Sequence, residues 1–193
     1  MAVLIEGYSV VLNKAQILQN EKAQKTLSSI DATMHPMAVC TDASLLRIGF
    51  VDLAHATAFI AALEAAGLQH KVTENGAVFA KDIAMVTQYG EMDITCPWLT
   101  IQFTKLADNT LICFATMNSA EPIKGIGRPK GWNLNESILK KYHDLRMQHM
   151  EENFDLVGDE LMHDVYKNKI TKETVRLVKL TMKNQNTAEV TAE

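Results

Sequence analysis

Residues 45–68 read LLRIGFVDLAHATAFIAALEAAGL, and the boundary inside this stretch sets the fold class. LLRIGFV concentrates aliphatic, aromatic and β-branched residues in a short run, the composition of a strand. Asp52 follows, where a carboxylate can accept from the free amides of a first helical turn. Ala56, Phe59, Ile60, Leu63 and Ala66 then recur at helical spacing. Gly67 closes the helix where a left-handed residue is wanted. A strand running into a capped helix, with strand-like segments on both sides, predicts an α+β fold.

Upstream, residues 2–12 read as a first strand, and residues 13–28 as a polar helix with Ile17, Leu18 and Leu27 as its apolar positions. MAVC (37–40) and LLRIGFV flank Thr41-Asp42-Ala43-Ser44, the chemistry of a hairpin turn. Downstream, Asn75-Gly76 supplies the positive φ angles of a type I′ turn and joins HKVTE to AVFAKDIAMVT. Lys81-Asp82 interrupts the second of these runs. PWLTIQFTKL and TLICFATM form another pair across Ala107-Asp108-Asn109, and WLTIQF alternates apolar and polar residues. The expected architecture is an antiparallel sheet of roughly five to seven strands packed by two helices.

The pattern changes at Asn133. With Glu136 three residues on, Asn133 resembles a capping box. A helical pattern runs to about residue 166, with Ile138, Tyr142 and Leu145 in one stripe and Met150, Phe154, Val157, Leu161 and Val165 in another. The stripes are offset and Gly158 lies in the second, so a bend is expected within 146–158. Thr171 is positioned to cap a last helix over 172–183, with Val175 and Val178 facing inward. The resulting plan is a sheet domain over 1–132, a C-terminal helical segment over 133–183 and a disordered tail over 184–193.

The 193 residues are 47% hydrophobic and 22% charged, enough for one sizeable core. Net charge is −4, and the acidic surplus falls within residues 1–120, which argues against nucleic acid as a partner. MAVLIEGYSVVLNK lacks a cationic start and carries Glu6, so it does not read as a signal peptide. No apolar run approaches a membrane span. Cys40, Cys96 and Cys113 form no CxxC pair. Unpaired thiols without a signal peptide point to the cytoplasm.

Three stretches carry the residue types of a site. PIKGIGRPKGW (122–132) carries Lys124, Arg128 and Lys130 just before a helix start, with Trp132 beside them. Its glycines free backbone amides to face an anion, and Trp132 could stack on a ligand. The bland alternative is a strand-to-helix connection with Trp132 as a staple. GRPKG also resembles the core of the AT-hook, a minor-groove DNA motif. Arg128 matches the second arginine of that motif, but Ile126 stands in place of the first. No P-loop or dinucleotide pattern is present, and the sequence specifies no cofactor.

The second place is residues 143–163. His149 with Glu152, and Glu160 with His163, are each i,i+3 pairs that a helix would set on one face, the spacing of carboxylate–histidine metal sites. The bland reading is a solvated face with boundary histidines. The third is Cys96, before Pro97-Trp98, which would need a histidine or a helix N-terminus to act as a nucleophile. No spacing joins the acids into a catalytic pair, so no catalytic residue is assigned.

The opening MAVLIEGYSVVLNKAQI and residues 40–68, CTDASLLRIGFVDLAHATAFIAALEAAGL, resemble the N-terminal part of small uncharacterised bacterial proteins. The resemblance lies in the N-terminal third and implies a bacterial, cytoplasmic origin. It brings no activity and no site residues.

The leading expectation is a non-enzymatic protein-interaction domain, a binder of the immunity or regulatory type. The first alternative is a small-molecule or nucleotide-binding enzyme using the 122–133 loop. The second is a metal-binding protein using the 143–163 segment.

Overall fold

The computed structural model describes residues 1–31, 36–118 and 123–181. Strands β1 (Ala2–Ile5) and β2 (Tyr8–Asn13) precede helices α1 (Lys14–Leu18) and α2 (Glu21–Asp31). Then come β3 (Val39–Thr41), β4 (Leu45–Phe50), α3 (Leu53–Ala65), β5 (Lys71–Glu74), β6 (Ala77–Ala80) and β7 (Ile83–Thr87). Strands β8 (Leu99–Lys105), β9 (Leu111–Met117) and β10 (Ile126–Gly127) lead to α4 (Ile138–Asn153). The described chain closes with β11 (Phe154–Asp159), β12 (His163–Asn168) and β13 (Thr174–Val178). The class is α+β, with mostly antiparallel pairing.

The strands divide among several small sheets. One runs β10-β1-β9-β8, with β1 parallel to β10, and another runs β3-β4-β2-β7. Glu6 and Gly7, between β1 and β2, carry the chain from the first sheet to the second. Strand faces follow from the two-residue period. Val3, Ile5, Cys113 and Ala115 of one sheet therefore pack with Val11, Leu45, Ala84 and Val86 of the other in a single core. The opposite face of the second sheet, with Val10, Leu12, Ile48 and Ile83, is covered by α3 through Phe59, Ile60 and Leu63.

The local signals that defined α3 act as expected. Asp52 accepts from the His55 amide. At the far end the Leu68 amide bonds to Leu63 O at 3.1 Å and the Gly67 amide to Glu64 O at 2.9 Å, with Gly67 at φ +97°. This is the six-to-one and five-to-two pairing of a Schellman cap. Asn75 and Gly76 adopt φ of 51° and 81° and join β5 to β6. The helix expected over 13–28 is two helices. The Asn20 side chain interrupts it by accepting from the Ala23 amide at 3.0 Å, which starts α2.

The C-terminal segment departs from the expected helices beyond residue 153. The capping box forms, with Asn133 accepting from the Glu136 amide and donating to the Glu136 carboxylate, but it closes only a single 3-10 turn. Ser137 caps α4 proper by accepting from the Lys140 amide at 3.1 Å. After α4, the β11-β12-β13 sheet takes the place of the expected continuation to residue 166 and of the described part of the helix expected over 172–183, whose last two residues lie outside the described residues. Two local features favour strands. The Asn168 carboxamide accepts from the amides of Ile170 and Thr171, and Lys172 adopts φ +63°, so residues 168–172 turn the chain instead of capping a helix. Thr174-Val175 and Val178 are β-branched, which favours extended backbone. Leu145, expected to face inward, is exposed, and Leu139, Tyr142 and Met150 form the buried face of α4. Residues 184–193 lie outside the described residues.

Candidate functional site

The most elaborate polar arrangement lies at the corner between the two sandwich sheets. Arg47 on β4 and Glu6 are both fully buried, and Arg47 Nη2 lies 2.6 Å from Glu6 Oε2. Arg47 Nε donates to Leu4 O at 2.6 Å, and Nη1 donates to Ala38 O. The other oxygen of Glu6 accepts from Trp132 Nε1 at 2.7 Å and from the Leu139 amide near the start of α4. Gly49 leaves room for the guanidinium, since a Cβ there would sit 2.7 Å from Arg47 Nη1. The group therefore fastens β1, β4, the 122–133 loop and α4 together. Its charges are spent on one another, and its role is structural.

That fastening decides how the basic loop reads. Trp132 has its N–H committed to Glu6, and the Arg128 guanidinium lies 5.3 Å from its ring centroid. Trp132 thus acts as the anchor of a connection, with a cation over its face. Lys124 and Arg128 line a groove of about 460 Å³ on the outer face of the β10-β1-β9-β8 sheet, over Leu106, Ile112, Phe114 and Ile126. Lys130 is exposed and is not part of this groove.

The four residues considered for metal are not brought together. His149 and Glu152 lie on α4, where the His149 ring contacts Phe154 and hydrogen-bonds Asn153. Glu160 lies in the turn between β11 and β12 and pairs with Arg176, while His163 begins β12. The helical face expected for Glu160 and His163 does not exist, because residues 154–168 are a hairpin. Among the described residues no group of three or more histidines, cysteines and acids converges in a way that could hold a metal ion. Cys96 is buried, and burial pushes its thiol up to about 11, away from nucleophilic use at neutral pH.

Sequence reasoning missed a cluster that the fold assembles. Tyr8, Tyr89, Tyr142 and Tyr166 meet beneath α4. Tyr8 and Tyr142 pack edge to face with centroids 5.0 Å apart, and Tyr89 lies 5.8 Å from Tyr142. The Tyr89 hydroxyl is 3.3 Å from His143 Nδ1, and Arg146 lies over the Tyr89 ring. Burial holds His143 below its ordinary pKa, so it is neutral at pH 7. His143 also lines a cleft of about 490 Å³ between α4 and the C-terminal sheet. The cleft's lysines are occupied, Lys140 by Asp144, and Lys179 by Asp159 and Asp164. These side chains lie far apart in sequence, and no motif announces them.

The C-terminal sheet also differs from the sandwich in what it exposes. Leu156, Val157, Leu161 and Met162 are 59%, 55%, 60% and 36% exposed. They fall within residues 156–162 of the β11–β12 hairpin. The ladder shifts register between Leu156 and Gly158, which leaves Val157 outside the pairing, a β-bulge. No helix among the described residues is long and apolar enough to cross a membrane.

No protein-family model, no curated protein and no solved structure matches this chain.

Proposed function

We propose that this chain is a protein-interaction domain that meets its partner through the β11–β12 hairpin. The observation that carries this reading is the run of large apolar side chains left in water over residues 156–162. Scattered exposed leucines are ordinary, but four large apolar side chains exposed within seven consecutive residues of one hairpin suit a surface that another protein covers. The bulge at Val157 supports this, because bulges bend a strand and re-aim its side chains. Net charge −4, with its surplus in residues 1–120, favours a partner with basic surface. The test is a photo-crosslinking residue placed at Leu161 in the native host. A discrete protein adduct that disappears when Leu156→Ser is added supports the reading. No adduct, or one indifferent to Leu156, contradicts it.

A second reading rests on Lys124 and Arg128 lining one apolar groove. Such a groove suits an amphiphilic anion, with its acid at the cations and its apolar body over Phe114 and Ile112. Octanoate at millimolar concentration should raise the melting temperature where inorganic phosphate does not, and Lys124→Ala/Arg128→Ala should abolish the rise. No shift with octanoate removes this reading.

A further inference from the structure

The β5–β6 hairpin forms its own two-stranded sheet, outside the sandwich ladders. Its tip is exposed, including Val78, and it is held at its base. The Asp82 amide donates to Gln69 O at 2.8 Å and the Gln69 amide donates to Asp82 Oδ2 at 2.8 Å. On the neighbouring segment, the Ala80 amide donates to Thr95 O and Trp98 Nε1 donates to Ala80 O at 3.1 Å. Between these contacts sits His70, only 5% exposed. Its Nδ1 lies 3.0 Å from Ile83 O, and its Nε2 lies 2.9 Å from Asp93 Oδ2.

Both ring nitrogens of His70 face acceptors. A backbone carbonyl can only accept, and so can an ionised carboxylate. Two donors are therefore required, and only the imidazolium has two. The charged groups around it are Asp93 on the 88–98 loop and Lys71 on β5, whose Nζ lies 3.4 Å from the same Asp93 oxygen. Lys81 and Asp82 flank the far side of the hairpin base, where the Lys81 amide donates to His70 O.

We propose that His70 is a pH-sensitive latch: as an imidazolium it ties the Asp93 loop to the base of the β5–β6 hairpin, and on losing its proton it releases that loop. The neutral ring keeps a single N–H, so it can hold Ile83 O or the Asp93 carboxylate but not both, and its other nitrogen turns a lone pair toward an acceptor. One side of the bridge between Ile83 and Asp93 is lost in either tautomer, and the tether opens. This device is independent of the interaction surface on β11–β12.

The sign follows from both partners. Burial lowers the pKa of His70, but the Asp93 hydrogen bond and the Ile83 carbonyl outweigh it and leave the value raised above 6.5. The latch is therefore complete below the ordinary histidine pKa and is lost as pH rises through the raised folded value. For Asp93 burial acts upward, but His70 and Lys71 outweigh it and leave the carboxyl below its ordinary 3.8. Its contribution is lost as pH falls through that lowered value. The window of full closure lies between the ordinary carboxylate and histidine values.

The test is a pH titration of the full chain by nitrogen-15 NMR of the histidine rings, with amide exchange of residues 91–96 followed alongside. His70 should carry protons on both ring nitrogens at pH 6.5, and its midpoint should lie above that of a model histidine. Protection of the 91–96 amides should fall as the ring titrates. Asp93→Asn keeps an acceptor but removes the charge, and it should move the midpoint down by about one pH unit or more. A neutral His70 ring at pH 6.5, or loop protection that ignores its titration, overturns the proposal. The wild-type titration decides the matter even if the variant does not fold.

Discussion

The sandwich seals a glutamate and an arginine wholly from water, while the C-terminal sheet leaves leucines standing in it. Glu6 and Arg47 are each fully buried, yet Leu156 and Leu161 are more than half exposed. The difference is one of partners. Every face of the Glu6–Arg47 group meets something inside the chain: Leu4 O, Ala38 O, Trp132 and the Leu139 amide. The β11–β12 hairpin meets α4 through Tyr166 and Phe154. Buried charge that is fully paired belongs to a closed interior, and the exposed leucines of the hairpin are the surface on which the proposed partner contact rests.

The largest effect is expected at Arg47. Arg47→Met leaves the Glu6 carboxylate buried without its cation and should cost about 3–5 kcal/mol, read from the denaturation midpoint. Adding Glu6→Gln should recover part of that loss, because the stranded charge is then removed. A double variant as unstable as the sum of the singles would show that the two groups do not act as one unit.

Leu177 tests whether the C-terminal sheet is a folded part of the same molecule. It is 3% exposed and packs with Tyr142, Met150 and Tyr166. Leu177→Ala should cost about 2–5 kcal/mol in the same assay. A loss below that range would mean the sheet is only loosely docked on α4.

Ser137 tests the link between the regions, since its hydroxyl caps α4 where that helix meets Glu6. Ser137→Ala should cost about 1 kcal/mol. Leu156→Ser/Leu161→Ser should change stability by no more than about 0.5 kcal/mol per site, as for ordinary surface positions. Iodoacetamide gives a last check on the interior. Burial pushes the Cys96 and Cys113 thiols up to about 11 and about 12, so at pH 8 neither should alkylate until the chain is unfolded.

The parts of this fold that could be read from sequence are those set by neighbours in the chain. Asp52 and Gly67 bound α3 through contacts within a few residues, and Asn75-Gly76 fixes a turn by its own φ angles. The C-terminal sheet was misread because Met150, Phe154, Val157, Leu161 and Val165 satisfy a helical period by position alone. The competing signals were local but weaker in appearance: Asn168 folding its carboxamide over the next two amides, and the β-branched residues of β13. The single sheet expected from the strand pattern is divided, and β1 and β2 fall in different sheets because Gly7, at φ +55° and with Phe50 O 2.2 Å from where a Cβ would lie, turns the chain between them. Of the candidate site residues, Lys124 and Arg128 line one groove, while the Trp132 N–H is committed to Glu6, a partner more than a hundred residues away that no local pattern indicates. The Glu6–Arg47 pairing and the four-tyrosine cluster join residues that only the finished topology brings into contact.

On the proposed reading, the β11–β12 leucines serve a partner and not the fold. It is tested most directly by measuring, on one preparation, the denaturation midpoint and the affinity for the protein crosslinked at residue 161. Leu156→Ser/Leu161→Ser should keep the midpoint of the parent chain while losing affinity by at least about tenfold, the equivalent of about 1.4 kcal/mol. Unchanged affinity, or a collapse in stability of the kind expected for Arg47→Met, would contradict the claim.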